Sequence, residues 1–439
     1  MKKSSFKHDI SFTFLSRVII LLLSVGTQSC LAWILGPADR GSFAVCQIFI
    51  VILNLCFVMG LETSTVYFVS AKKCSLSEGV TSIFVYGGIS SLVAIAVGTV
   101  VITQFNFSFF SKASQLSFFL ALLTIPATLC AASLILLLTS IHEFRWFAIL
   151  SIADAAFLLI FTILFVMLGQ SGVNGALIAV IFQGLMSTSL ALLFLRRRYH
   201  IHLVKPAIRL LWDMFHYGAR FHVGKASNFA NINMGTIIAA IFLTKEDVGF
   251  FAVASQTIAR TMIIPDTLTT VLFPKVASER DNMDKDISRL TRLTGGITIV
   301  FLVFLSLLAK PFVLIIFSPS FLPAVPLIQI LAIGIAVRSI SKIFEPYLLG
   351  VGHPGRVSVS SIVTLIANFV LAWFFLSLWG LTGVAIGTTV AYFFGAYVLL
   401  LGFMKHSGLH FVDIFRFKQS DFDFILGRSK INRGIFPLK

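Results

Sequence analysis

The chain has 439 residues, 57% hydrophobic and only 12% charged, about half the charged share of an ordinary soluble domain. With a mean hydropathy of +0.96 and 46 Phe residues, soluble globular, disordered, collagen-like and disulfide-scaffold classes are excluded. The apolar runs are long and unbroken, which excludes a transmembrane β-barrel, and the net charge of +16 has to be read against a membrane rather than against nucleic acid.

What remains is an all-α polytopic membrane protein. A bilayer core takes about 20 apolar residues per helix. The chain offers about twelve such stretches, near 11–35, 42–70, 80–103, 116–140, 146–168, 174–195, 215–243, 248–275, 290–308, 324–350, 357–378 and 381–404. The breaks between them carry turn chemistry: Gly36-Pro37, Gly172 to Gly175, Pro319 with Pro323, Gly352 to Gly355, and Gly380 to Gly383. The first stretch follows a basic start but is too long for a signal peptide, so it reads as a retained helix. The cysteines Cys30, Cys46, Cys56, Cys74 and Cys130 form no CxxC pair and no metal-ligand spacing, and read as small apolar residues.

The basic residues orient the spans. With the N-terminus inside, the inner segments hold 24 Lys and Arg and the outer loops hold 4, namely Arg40, Lys112, Lys245 and Lys310. That asymmetry predicts both termini in the cytoplasm and a basic skirt facing anionic lipid. The longest polar stretches are the connection from Arg196 to Asp213 and the tail after Lys405. In the tail, Phe411 to Lys418 mixes aromatic and basic residues and is expected to lie along the inner surface.

The chain also repeats itself at an offset of 208 residues: Gly41-Ser42-Phe43-Ala44-Val45 matches Gly249-Phe250-Phe251-Ala252-Val253, and Gly172-Val173-Asn174-Gly175-Ala176 matches Gly380-Leu381-Thr382-Gly383-Val384. Thr65-Val66-Tyr67-Phe68 echoes Thr270-Val271-Leu272-Phe273 after a small shift. Six spans separate the copies, so the repeats are parallel about an axis along the membrane normal. The expected organisation is a six-helix lobe over 1–195, a basic cytoplasmic linker over 196–213, a second six-helix lobe over 214–404 and a basic cytoplasmic tail over 405–439.

Ten charged residues fall within the spans: Arg17, Glu62, Asp154, Arg220, Lys225, Arg260, Asp266, Arg338, Lys342 and Glu345. Each costs about 2.5–3.5 kcal/mol at the bilayer centre, so most must snorkel, pair or line a wet cavity. Thr13, Arg17, Ser24 and Gln28 share one helical face, and His216, Arg220, Ser227 and Asn231 repeat that spacing in the seventh span. Gln256, Arg260 and Thr267 share a face on either side of Pro265, and Arg338, Lys342 and Glu345 share another. The deepest sites are mostly cationic, which suits an anion, and the bidentate fork of Arg suits phosphate. The candidate binding set is therefore Arg17, Arg220, Arg260, Arg338 and Lys342.

The candidate ion-coupling carboxylates are Asp154, Glu62, Asp266 and Glu345. Asp154 stands apart from any basic residue on its own helix and reads equally as an ion or proton site or as a hydrogen-bonded packing residue. Lys342 has an alternative partner in Glu345 at i+3, and Glu62 and Asp266 read as structural partners of the arginines. No GxSxG, GxxxxGK[ST] or HExxH pattern occurs, so neither an enzyme nor a nucleotide-driven pump is expected. No metal or organic cofactor is expected, and an ion gradient, of H+ or Na+, or the substrate's own gradient is left as the driver.

Several stretches resemble the oligosaccharide flippases of the multidrug/oligosaccharidyl-lipid/polysaccharide exporter superfamily. They are Leu35-Gly36-Pro37-Ala38-Asp39-Arg40-Gly41, Gly60-Leu61-Glu62-Thr63 with Tyr67-Phe68-Val69, Tyr217 to Gly224, Val271 to Ser278, Phe321 to Pro326, and Tyr347 to Gly355. The resemblance implies two six-helix lobes forming a V-shaped central cavity with alternating access. It implies movement of an undecaprenyl-pyrophosphate-linked oligosaccharide across a bacterial inner membrane for O-antigen, capsule or exopolysaccharide assembly, in company with a polysaccharide polymerase and a chain-length regulator. One departure is that Asn233 and Gly235 stand about where such flippases often carry an Arg and an Asp. The competing readings are a multidrug/cation antiporter of the same superfamily, for which a carboxylate-dominated cavity is expected, and a polytopic sugar polymerase or ligase, for which a large external loop is expected.

Overall fold

The structure is a computed structural model that describes residues 3–58, 60–105, 107–205, 207–263, 265–266 and 283–416; along 3–14, 220–228 and 283–286 only the backbone is described. The described residues are helices joined by short turns. The first, α1 (Lys3–Phe57), is bent at Gly36, whose φ of 67° is open to glycine at little cost, and Pro37 follows where its missing N–H is not needed. The predicted first and second spans are thus joined through one residue. The expected span 42–70 is interrupted: Gly60, at φ 70°, separates α1 from α2 (Leu61–Ser70). A capping box then starts α3 (Leu76–Gln104), with Ser75 Oγ accepting the Glu78 N–H and the Glu78 carboxylate accepting the Ser75 N–H at 2.8 Å.

There follow α4 (Gln115–Leu137), α5 (Phe144–Thr162, prolonged by a π-helical turn over Ile163–Leu168), α6 (Gly172–Tyr199) and α7 (Ile208–Phe242). Then come α8 (Lys245–Ala259), which tightens into a 3-10 turn over Arg260–Met262, and α9 (Met283–Leu307). The chain continues through α10 (Ala309–Ile316), α11 (Ala324–Lys342) and α12 (Phe344–Gly350) to α13 (Pro354–Ser407), bent at Trp379-Gly380, and α14 (Phe411–Phe415).

Among the described residues eight helices are long and apolar enough to cross a membrane. Two of them, Leu15–Phe57 and Pro354–Ser407, have 43 and 54 residues, and each would reach about twice across a bilayer core were it not bent at a glycine. Large apolar side chains stay exposed at helical spacing, as with Ile362, Ile366, Phe369 and Trp373 on α13 or Ile89, Leu92 and Val100 on α3. Such stripes are a liability in water and are what a helix presents to lipid. The protein is a multi-pass membrane protein.

The chain divides into two compact units. One comprises residues 1–229, 239–252 and 312–323, and the other 230–238, 253–311 and 324–439. In the first unit Val80, Ile83, Leu134, Leu137, Leu150 and Leu195 form one buried cluster. There α4 and α6 approach closely at Gly184, where a Cβ would lie 2.6 Å from the Ala127 carbonyl carbon.

The same unit holds a reciprocal crossing of α1 and α8. A Cβ on Gly41 would fall 2.8 Å from the Lys245 carbonyl carbon, and one on Gly249 would fall 3.0 Å from that of Pro37, nearer still to the two oxygens. Gly41 and Gly249 are equivalent positions of the 208-residue repeat, and so are Pro37 and Lys245. The contact is therefore two-fold about the internal duplication: each glycine makes room for the carbonyl four residues before its counterpart.

In the second unit Ile287, Ile343, Phe344, Tyr347, Leu348, Leu399, Phe403 and Ile414 form the core at one end. The start of the tail is anchored to this core. Phe411 and Val412 are exposed, but Ile414 is fully buried, and Arg292 on α9 donates to the carbonyls of Asp413 at 3.2 Å and Ile414 at 2.9 Å. The α14 turn is thus bound to its unit through one face. Residues 417 and 418 lie outside the described residues.

Candidate functional site

Five of the nine candidate residues belong to the second unit. Arg338 lies on α11, half-buried, with its guanidinium carbon 5.1 Å from the centroid of the Tyr392 ring on α13. A cation over an aromatic face gains about 0.5–2 kcal/mol, more as water is excluded. One turn further along α11, Lys342 donates to Asp266 Oδ1 in a salt bridge. The expected pairing with Glu345 is not what holds Lys342. Helix α11 ends at Lys342, and Glu345 falls in the first turn of α12. Glu345 still lies within the electrostatic reach of Lys342, Arg338 and Asp266. Arg260 occupies the first position of the 3-10 turn after α8. Next to Arg338 in sequence, Ser339 donates to Met262 Sδ at 3.2 Å, so the turn carrying Arg260 is tied to the segment carrying Arg338. Around Glu345 the structure brings together Arg338, Lys342 and Asp266, two cations and two carboxylates, with Lys342 bound to Asp266.

Beside it lies a neutral buried network that the charge inventory overlooked. Asn231 donates to the Ser361 carbonyl at 3.1 Å, Asn368 donates to the Asn231 carbonyl at 3.3 Å, and Thr388 donates to Asn368 Oδ1 at 3.1 Å. Tyr392, which carries Arg338 on its face, reaches the same Asn231 carbonyl at 3.5 Å. Asn231 was legible as part of a polar face on the seventh span. Its companions on α13 give no signal beyond isolated Asn, Thr and Tyr in apolar runs.

The first unit holds the others. Asp154 on α5 accepts at Oδ1 from Gln183 and, at 2.6 Å, from Ser187, both on α6. Its partners are neutral donors from the neighbouring helix, 29 and 33 residues away in sequence. Glu62 is half-buried in the first turn of α2, where a carboxylate is favoured by the helix dipole. Arg17 is exposed on α1. The Arg220 side chain, like those of Lys225, His222 and Ser227, lies outside the described residues, as do Thr267, Thr270 to Phe273 and Val271 to Ser278.

The polar face proposed for α1 is partly used inside the unit. Ser24 donates to the Leu21 carbonyl at 2.9 Å, and Gln28 Oε1 accepts from Arg40. Arg40, placed by the charge count in an outer loop, is instead fully buried, its guanidinium carbon 5.5 Å from the Phe43 ring. The turn at Gly36-Pro37 suggested an irregular loop. In the structure Gly36 alone leaves helical geometry, so Arg40 is helical and faces inward. Close by, a polar cavity of about 400 Å³ is lined by Asp39, Ser42, Lys112, Ser117, Asn174 and Lys245.

Comparison with known proteins places this geometry. A family model described as polysaccharide biosynthesis protein matches residues 30–326. A curated relative, the probable low-salt glycan biosynthesis flippase Agl15 of Haloferax volcanii, is 24% identical over 197 residues, 43% of this chain and 41% of that protein. The match thus spans less than half the length of that relative. Among solved structures, lipid II flippase MurJ in an inward closed conformation matches with a TM-score of 0.71 at 15% identity, covering 95% of each chain. An inward-facing multidrug resistance MATE family transporter of the MOP superfamily matches with a TM-score of 0.67 at 16% identity, covering 90% of this chain and 98% of that one. The fold is that of this superfamily, and the proteins it resembles are flippases and transporters rather than enzymes.

Proposed function

Because the chain belongs to the polysaccharide biosynthesis protein family, we propose that it is a flippase for an undecaprenyl-pyrophosphate-linked oligosaccharide. On this reading it carries the glycan from the cytoplasmic to the outer leaflet of a bacterial inner membrane, for O-antigen, capsule or exopolysaccharide assembly, and both termini are cytoplasmic. Two six-helix lobes, 1–195 and 214–404, alternate in access under an H+ or Na+ gradient, with Asp154, Glu62, Asp266 and Glu345 as the carboxylates available for coupling. A polysaccharide polymerase and a chain-length regulator would take up the product.

The observation that carries the reading is Arg338, held half-buried over Tyr392 and tied through Ser339 to the turn of Arg260. A half-buried guanidinium on an aromatic face offers a permanent positive charge to an anionic substrate, and its fork matches a pyrophosphate better than an ammonium does. The test is polymer export in cells carrying Arg338→Ala or Arg260→Ala at unchanged protein level. Export should be abolished, and Lys at either position should restore it in part. Full export by both Ala variants would overturn the assignment.

A further inference from the structure

The first unit carries an apolar groove between α5 and α6 that plays no part in the site above. Its volume is about 480 Å³, and it is lined by Trp146, Ile149, Leu150, Leu190, Leu193 and Phe194, with Arg197 and Arg198 at one end. Trp146, Ile149, Leu190 and Leu193 remain substantially exposed, so the groove opens outward from the helix pair. Trp146 and Phe194 form its wall beside the arginines, with ring centroids 4.4 Å apart.

Three features define what fits. The charge lies at one end only, in the last turn of α6, where Arg196, Arg197 and Arg198 follow one another. By the distribution of basic residues, that end faces the cytoplasm. The apolar lining on α6 runs from Leu190 to Phe194, about 6 Å along the helix, with Arg197 and Arg198 in the next turn. Trp146 stands beside the arginines, the level at which Trp is favoured in a bilayer interface. A short apolar slot with an aromatic at its mouth and guanidinium groups above it matches a chain-bearing molecule with an anionic head. The nearby carboxylate, Glu143, is engaged by the Tyr199 hydroxyl, and Arg198 interacts with that same hydroxyl. Arg197 is exposed and reaches the groove.

We propose that this groove is a binding site for an anionic phospholipid of the cytoplasmic leaflet, its phosphate on Arg197 and Arg198 and an acyl chain against Ile149, Leu190 and Leu193. The occupant is a bilayer lipid rather than the transported one, because the apolar lining is only about 6 Å long with charge at one end, which suits one phosphate and the first part of an acyl chain and offers no polar lining for a glycan.

The test is native mass spectrometry of the full chain released from nanodiscs of phosphatidylcholine doped with phosphatidylglycerol. The parent should retain phosphatidylglycerol in preference to phosphatidylcholine. A basic residue near the surface contributes about five-fold to such a preference, so Arg197→Gln should lower it about five-fold and the double change with Arg198→Gln further. Leu193→Trp fills the slot and keeps both charges, so it should also lower retention if the chain seats there. Equal retention in parent, double-Gln and Leu193→Trp proteins would overturn the site. Displacement of phosphatidylglycerol by equimolar undecaprenyl phosphate would overturn the choice of occupant. Loss of retention in the Trp variant alone would overturn the role of the arginines. All three readouts are independent of polymer export.

Discussion

The glycine crossing of α1 and α8 gives a prediction whose size follows from how closely the two backbones approach. In Gly249→Ala the new methyl would stand 3.0 Å from the Pro37 carbonyl carbon and 3.2 Å from the Gly41 nitrogen. The Pro37 carbonyl oxygen lies nearer still, well inside the 3.5–4.0 Å of an unstrained heavy-atom contact, so the two backbones must part by roughly an ångström or more. Backbone cannot rotate away as a side-chain tip can, and such overpacking costs about 1–3 kcal/mol. A clash this close with backbone takes the upper end of that range, and after alanine's better helix propensity returns ~1 kcal/mol a net loss of about 2 kcal/mol remains. Gly41→Ala meets the Lys245 carbonyl still more closely and should lose at least as much. Because either methyl separates the same pair of helices, the double variant should lose less than the sum, with a coupling of about 0.5–3 kcal/mol. Gly88 on α3 is the control, since a Cβ there meets nothing within 4 Å, and Gly88→Ala should be neutral or slightly stabilising. The assay is thermal unfolding of the four variants in one detergent, followed by a probe that reports two-state melting. Strict additivity of the two alanines, or a Gly249→Ala protein as stable as Gly88→Ala, would refute the crossing.

Two further outcomes are expected. Asp154→Asn keeps an acceptor for Ser187 and Gln183 and should fold normally while losing the response of transport to an imposed pH or sodium gradient; Asp154→Leu should lose about 1–3 kcal/mol of stability, because both donors are left buried without an acceptor. An Asn variant that still responds to the gradient as the parent does would make Asp154 a packing residue. The Cys74 thiol, in the turn before α3, is pushed up to about 11 by burial and, secondarily, by the charge of Glu78. Only a small thiolate fraction exists at neutral pH, so maleimide labelling should be slow there and rise about ten-fold per pH unit towards that value. Glu78→Gln, which keeps a capping side chain and removes the charge, should speed labelling at pH 8, and an unchanged rate would refute the electrostatic part.

Much of this architecture is legible in the sequence, and the reason is periodicity. Apolar runs of bilayer length are set by the membrane, so α3, α4, α5 and α6 follow closely the stretches read from composition. Gly36 and Gly380 bend the chain where turn chemistry placed breaks. Partnership is another matter. A helical wheel says which residues of one helix share a face but not which face of another helix meets it. Hence Asp154 looks isolated on α5 although α6 supplies two donors, and Lys342 looks bound to its own helix although Asp266 takes it. Arg40 shows the complementary difficulty. A Gly-Pro pair signals a turn but not how short the turn is, and a one-residue kink leaves Arg40 in helix and buried where a longer loop would leave it in water.

The reciprocal placement of Gly41 and Gly249 has a consequence for how such a chain can be assembled. A contact in which position i of one copy meets position i−4 of the other, and the reverse, is what a two-fold symmetric pair of identical polypeptides would present. Nothing in that contact requires a covalent link between the copies. Joining them in one chain frees each half to vary around a shared junction: Ser42 donates to the Lys112 carbonyl, while its counterpart Phe250 packs edge-on to Phe321. A half-length polypeptide made twice could hold the symmetric crossing, but it could not give one side a hydroxyl and the other a ring.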